Sequence, residues 1–266
     1  MSTTLTPSTV TRDAHRHRTR PHRSSVRRLV AAELRLVLRD PLTLTFVLAF
    51  PIVTMLVIGG SFSSSDRDGF DGVEPSQWYV ASYFTVVLAA TGLVMLPVHI
   101  ASYRERGVLR RFAAAGFPRW SFAVSQLVVG LATVVVAAVV LLLVATPVYG
   151  VPAVHDWGRT VAGVVVGSLA FVSLGVLLGT VLPSGRSAQA VGLLLFFPSF
   201  LLGGGGPPPS VMSATLQDIS QVLPLTLVTQ AIRDPWLGLG AATGSLLTVT
   251  AIAVLGLALS ARRTAL

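Results

Sequence analysis

Two uninterrupted apolar runs, with an arginine-dense strip between them, limit what this chain can become. Residues 79–100 and 122–146 contain no Asp, Glu, Lys or Arg. As helices rising about 1.5 Å per residue, each is long enough to cross a hydrocarbon core of roughly 30 Å. The strip between them, YRERGVLRRFAAAGFPRW at residues 103–120, carries Arg104, Arg106, Arg110, Arg111 and Arg119. An arginine at the bilayer centre costs about 3 kcal/mol or more, so the strip lies in water close against a membrane. Short loops rich in Arg stay on the cytoplasmic side, and that orients every other segment.

Composition agrees with this constraint. The chain is 52% hydrophobic and 12% charged, with a mean hydropathy of +0.73, against about a quarter charged in soluble domains. Its net charge of +9 is carried wholly by arginine. A basic balance suits nucleic acid or anionic lipid. Because the arginines cluster in the tail and at span ends, lipid and topology are the reading, with no nucleic-acid partner. Without cysteine there is no disulfide or thiolate site, and without lysine there is no Walker A motif. The chain is therefore not expected to be an enzyme.

Taken in order, residues 1–25 read as a disordered basic cytoplasmic tail. Residues 26–40 read as an amphipathic interfacial helix. Val26, Leu29, Val30, Leu34, Val37 and Leu38 fall at helical spacing, opposite Arg27, Arg28, Glu33 and Arg35. Asp40-Pro41 favours a break after it, just beyond Arg39. The remainder, 41–266, reads as an all-α polytopic membrane domain of six transmembrane helices with both termini cytoplasmic. The expected spans are 42–60, 79–100, 122–146, 160–182, 188–203 and 237–260, with a cytoplasmic loop at 101–120. A partly re-entrant or surface-lying outer segment is expected between helices five and six, because Gly203–Pro209 breaks a helix and residues 210–236 are studded with polar side chains. Seventeen of the twenty arginines then lie inside, leaving Arg67, Arg159 and Arg233 outside.

Within the fourth span, Gly163, Gly167, Gly175 and Gly179 form two GxxxG steps on one face, a spacing that lets helices approach closely. The partner could lie within the chain or in a second copy. No HExxH or comparable spacing suggests a metal site. No paired intramembrane carboxylates suggest a protease or an ion-coupled carrier. Gln126, Gln189 and His99 are the strongly polar in-span side chains, and helix–helix hydrogen bonding suits them better than substrate contact.

The order of parts resembles the membrane subunit of ABC-2 type ABC transporters. The resemblance rests on Arg39-Asp40-Pro41 after the interfacial helix, on Arg104-Glu105-Arg106-Gly107-Val108-Leu109-Arg110-Arg111-Phe112 after the second span, and on Gly116-Phe117-Pro118-Arg119. Leu223-Pro224-Leu225-Thr226 and Ala231-Ile232-Arg233 complete it. Arg110 and Arg111 depart from the more acidic residues common there, and Gly203–Pro209 is a more extreme outer turn than is usual. The resemblance implies an exporter permease in the cell membrane, the plasma or inner membrane. It would work as two copies with two copies of a separate ATPase, which would hold ATP and Mg; this chain itself would need no cofactor.

Tyr103, Arg104, Glu105, Arg106, Gly107, Leu109, Arg110, Arg111 and Phe112 would then form the ATPase-coupling element. Arg27, Arg28, Arg35 and Arg39 would belong to the connecting helix. The same arginines could instead only set topology and bind anionic headgroups. Phe46, Phe50, Phe196, Phe197 and Phe200, on spans one and five, are candidate translocation-path contacts, with lipid-facing or packing roles as the alternative. The cargo expected is a lipophilic, drug- or antibiotic-like compound, with polysaccharide or lipid export as the alternative. Outside this class, a non-transporting scaffold or an ATP-independent carrier would fit the spans alone.

Overall fold

The structure is a computed structural model that describes residues 30–36, 39–41, 45–108, 111, 114 and 119–265. The expected tail and residues Arg27, Arg28, Leu109, Arg110 and Phe112 lie outside the described residues. Among those described, secondary structure is helical throughout. A helical turn at 30–36 precedes α1 (Thr45–Gly59), a 3₁₀ turn (Ser64–Phe70), α2 (Pro75–Glu105) and α3 (Arg119–Tyr149). Then come α4 (Trp157–Val181), α5 (Gly185–Leu202), α6 (Ala214–Gln221), α7 (Pro224–Leu237) and α8 (Thr243–Ala265).

Five of these, α2, α3, α4, α5 and α8, are long and apolar enough to cross a membrane. A sixth span requires counting α1 together with the 3₁₀ turn, to which it is bent by 111°. Apolar side chains stand exposed on the outside of the bundle, including Leu194, Leu143 and Leu247 at 72%, 67% and 65%. A water-soluble surface does not tolerate such a belt, whereas lipid tails cover it at no cost.

Helices α2 to α5 overlap the expected spans 79–100, 122–146, 160–182 and 188–203, but the last expected span begins elsewhere. Leu237 is not the start of a span; it closes α7, and the last span begins at Thr243. Gly238 at φ +76° and Gly240 at φ +144° break the chain between them, conformations that side-chain-bearing residues rarely adopt. The 210–236 segment divides in two. Short α6 exposes Leu216 and Ile219, while α7 is buried against α2, α4 and α8 through Leu225, Val228, Ile232 and Trp236.

The hub of the bundle is α2, whose residues Trp78–Met95 are all buried. Both α1 and α2 widen to π-helix, at Thr45–Ala49 and Ala90–Met95, and each widened stretch ends two residues before a proline, Pro51 and Pro97. Proline has no N–H for the carbonyl four residues back and its ring collides with that carbonyl. A π segment absorbs the misfit. The two widened stretches pack on each other.

Glycines close the resulting gaps. A Cβ at Gly192 of α5 would lie 2.2 Å from the Leu93 carbonyl oxygen, in the widened stretch before Pro97. The same arrangement recurs in α7. Pro235 frees the Ala231 carbonyl, and a Cβ at Gly163 would lie 2.4 Å from that oxygen. In each place a glycine lets a neighbouring helix approach until its backbone lies over a carbonyl oxygen in an apolar core.

Candidate coupling site at the basic end

The helices alternate in direction, so one end of the bundle carries the 30–36 turn, Tyr103–Gly107, Leu182–Gly185 and the end of α8. At this end three consecutive residues of α2 contact three different elements. The Tyr103 hydroxyl donates to Oε2 of Glu33, in the 30–36 turn, at 2.8 Å. Arg104 Nη1 donates to the carbonyl oxygens of Gly179 and Leu182, the end of α4, at 3.2 and 3.1 Å. Glu105 Oε2 accepts from the backbone N–H of Gly185, the first residue of α5, at 3.0 Å.

Helical geometry explains the division. Successive side chains turn by about 100°, so three in a row cannot serve one neighbour. The signs also fit the local field: the cation sits on unsatisfied carbonyls at a helix C-terminus, and the anion on an N–H at a helix N-terminus. Around them the α4–α5 turn is closed by Ser184 and Ser187, which cap each other's backbone. Gly185 and Gly179 bring the turn against α2, since added Cβ atoms there would meet Ser102 Oγ at 2.2 Å and Ile100 Cβ at 2.6 Å.

Glu33 does not sit with the exposed polar face assigned to it from sequence. It is buried, 4% exposed, and turned toward α2, whereas Arg35 and Arg39 are exposed. A single acid among apolar and basic neighbours was the available signal. Its partner, 70 residues away in the chain, was not readable. Beyond Glu105 the helix ends at Arg106. Gly107 takes φ +68° with open space around it, so glycine is needed there for its backbone angle, as at many helix C-termini. Arg106 and Arg111 are exposed. Of the described arginines expected to couple, Arg104 is engaged within the chain, and Arg106 and Arg111 face outward.

Phe46, Phe50, Phe196, Phe197 and Phe200 form one cluster between α1 and α5. Phe50 is its centre, with ring centroids 5.8, 6.1 and 5.1 Å from Phe196, Phe197 and Phe200, and Phe46 lies 6.2 Å from Phe50. Phe196 is fully buried, whereas Phe197 is 40% exposed. The cluster continues through Tyr83 and Tyr79 toward the other end of the bundle. There the two phenols donate to the carbonyls of Gly205 and Gly206, at 2.8 and 3.1 Å, and hold the glycine run against α2.

The four glycines of α4 face neighbours within the chain. Gly163 and Gly167 lie against α7, and Gly175 and Gly179 against α2. At the end remote from Arg104, each of Arg67, Arg159 and Arg233 is paired with a carboxylate, respectively Glu74, Asp156 and Asp234. Arg233 also lies 3.7 Å over the Trp78 ring. Among the described residues, no group of three or more His, Cys, Asp and Glu could hold a metal ion.

An apolar-belted bundle of spanning helices, with a basic loop fastened at one end, defines a multi-pass helical membrane protein. The family model for the ABC-2 type transporter matches residues 24–236, four-fifths of the chain, and the chain belongs to that family. No curated protein matches it.

Proposed function

We propose that this chain is the permease subunit of an ATP-driven exporter in the plasma membrane, acting as two copies with two copies of a separate ATPase. The family match over residues 24–236 carries the reading. The basic end is assigned to the cytoplasm, because seventeen of twenty arginines fall on that side. Pairing of each far-side arginine with a carboxylate reduces the outward positive charge. ATP and Mg, with the hydrolysis itself, belong to the partner. This chain, which has no lysine for a Walker A motif, supplies the path and the surface that feels the partner move.

On this reading Arg106 and Arg111 meet acidic groups on the ATPase and fix the register of docking. ATP-driven closure moves the loop and switches the path from inward- to outward-open. The path runs beside the Phe46–Phe200 cluster. Of the five candidate spans α5 is the least apolar, yet only a third of its apolar window is buried. A helix that faced lipid alone would gain from greater apolarity. An aromatic path suits a lipophilic, drug-like cargo, as in multidrug efflux and antibiotic resistance.

The test is whether a P-loop ATPase encoded in a neighbouring gene co-purifies with this chain, comparing wild type with Arg106→Glu/Arg111→Glu. Arg104 is left intact because its reversal would break a cap inside the chain. Loss of the complex with an unchanged melting temperature is the expected outcome. An ATPase that never co-purifies overturns the exporter reading. Transport unaltered by Phe50→Ala/Phe197→Ala removes the cluster from the path.

A further inference from the structure

The three side chains that end α2 have a consequence for how movement passes through the protein, and this inference rests on the exporter reading above. We propose that Tyr103, Arg104 and Glu105 splice the 30–36 turn, the end of α4 and the start of α5 into one rigid unit with α2. Glu33 is a positioning residue of that splice.

Four observations converge on it. The bonds join parts of the chain 70, 75, 78 and 80 residues apart, so none is a by-product of local helix geometry. Each of the three residues of α2 reaches a different element. Glu33 is the one acidic residue of the 30–36 turn and is buried, and its Oε2 accepts the Tyr103 hydroxyl. A buried carboxylate without such a donor would be strongly unfavourable, so the bond fixes how the turn is rotated against α2. Finally, the close approaches at Gly179 and Gly185 leave no room for the α4–α5 turn to slide past α2, since Pro97, Ile100 and Ser102 would already crowd a single methyl group.

The mechanical result differs from that of a free coupling loop. A push on Arg106 and Arg111 reaches α2 directly through the backbone. Through the splice it also reaches α4, α5 and the turn before α1, which places both helices of the phenylalanine cluster under the control of one loop. Farther along α2, the widened Ala90–Met95 stretch is where this rigid unit gives way to the rest of the helix.

The chain has no cysteine, so a pair of spin labels can be placed cleanly. Leu36→Cys and Arg186→Cys put labels on two exposed positions, one in the turn and one at the start of α5. The full complex with its ATPase is measured by double electron–electron resonance, with labelled chains diluted by unlabelled ones. Measurements are made without nucleotide and with ATP plus vanadate.

In the wild type one narrow 36–186 distance, the same in both states, is expected. Tyr103→Phe and Glu33→Leu are each expected to broaden that distance by several Å. They should also uncouple ATP hydrolysis from the response of the path by about tenfold, the scale of one hydrogen bond to a charged acceptor. Glu33→Gln retains an acceptor oxygen and should restore the narrow distance. Tyr103→Phe/Glu33→Leu together should do no more than either alone, since both remove the same bond. A wild-type distance that changes with nucleotide, or variants that keep it narrow, overturns the splice. Absence of the ATPase from purified wild type overturns the exporter reading separately, and the nucleotide-free distances still test the splice.

Discussion

Gly192→Ala is the sharpest test of the packing that holds α5 on the hub. The added methyl would sit 2.2 Å from the Leu93 carbonyl oxygen, whereas carbon and oxygen in ordinary contact stand about 3.3 Å apart or more. The helices must therefore part by about 1 Å, enough to forfeit a quarter to a half of the dispersion energy of the contacts involved. The obstacle is backbone, which cannot swing aside. A cost near the upper end of overpacking, about 3 kcal/mol, follows. Alanine's better helix propensity returns about 1 kcal/mol. The net loss of about 2 kcal/mol corresponds to roughly 4–8 °C in a protein of this size.

Gly244→Ala is the control: nothing lies within 4 Å of the methyl it would add, so it should hold or slightly raise the melting temperature. Both are read as thermal unfolding in one detergent by tryptophan fluorescence. Gly192→Ala melting with the wild type would refute the claim that glycine is needed there for a close approach to the Leu93 carbonyl.

Two further predictions concern the end remote from Arg104. Arg233→Leu leaves Asp234 without its buried partner and strips the cation from Trp78, which should cost about 3 kcal/mol by thermal unfolding. Arg233→Leu/Asp234→Leu should recover most of it. Asp156 caps α4: the Arg159 backbone N–H, and then the Arg159 guanidinium, hold its carboxyl below the ordinary carboxylate range. Its contribution is thus present at neutral pH, above the unfolded value, and is lost as pH falls through the lowered folded value. A melting-temperature profile of Asp156→Ala should therefore lie below the wild type at pH 7 and converge on it in acid.

Much of the bundle was legible because charge and hydrophobicity alone decide where a bilayer can be crossed. Residues 79–100 and 122–146 announce themselves by having no charge, and Gly203–Pro209 by being unable to continue a helix. The arrangement of helices was not so marked. Nothing in the length of α2 shows that it is the hub. Its signal lies in Ser82, Thr85, Thr91 and Gly92, polar or small residues that a lipid-facing helix has no use for. The end of the last helix pair was misjudged because α7 is apolar enough to look like an approach to a span. Its boundary is set by backbone angles at Gly238 and Gly240. The roles of Arg104 and Glu105 could not be read at all, since a basic loop read in sequence gives no hint that two of its charges face helix ends 75 to 80 residues away.

The prolines connect these points. In a membrane a helix cannot leave a carbonyl unsatisfied, and α2 and α7 each carry a proline that withholds one donor. Near both, a glycine of another helix sits over a carbonyl oxygen, Gly192 over Leu93 and Gly163 over Ala231. Such a contact contributes less than a full N–H bond, so it can be broken and remade with little penalty while still excluding lipid. The hub is therefore firm at its basic end, where charged side chains bind helix termini, and yielding where proline and glycine meet. On the exporter reading proposed above, a rigid end and a yielding middle are what a helix needs if a push at one end is to open a path at the other.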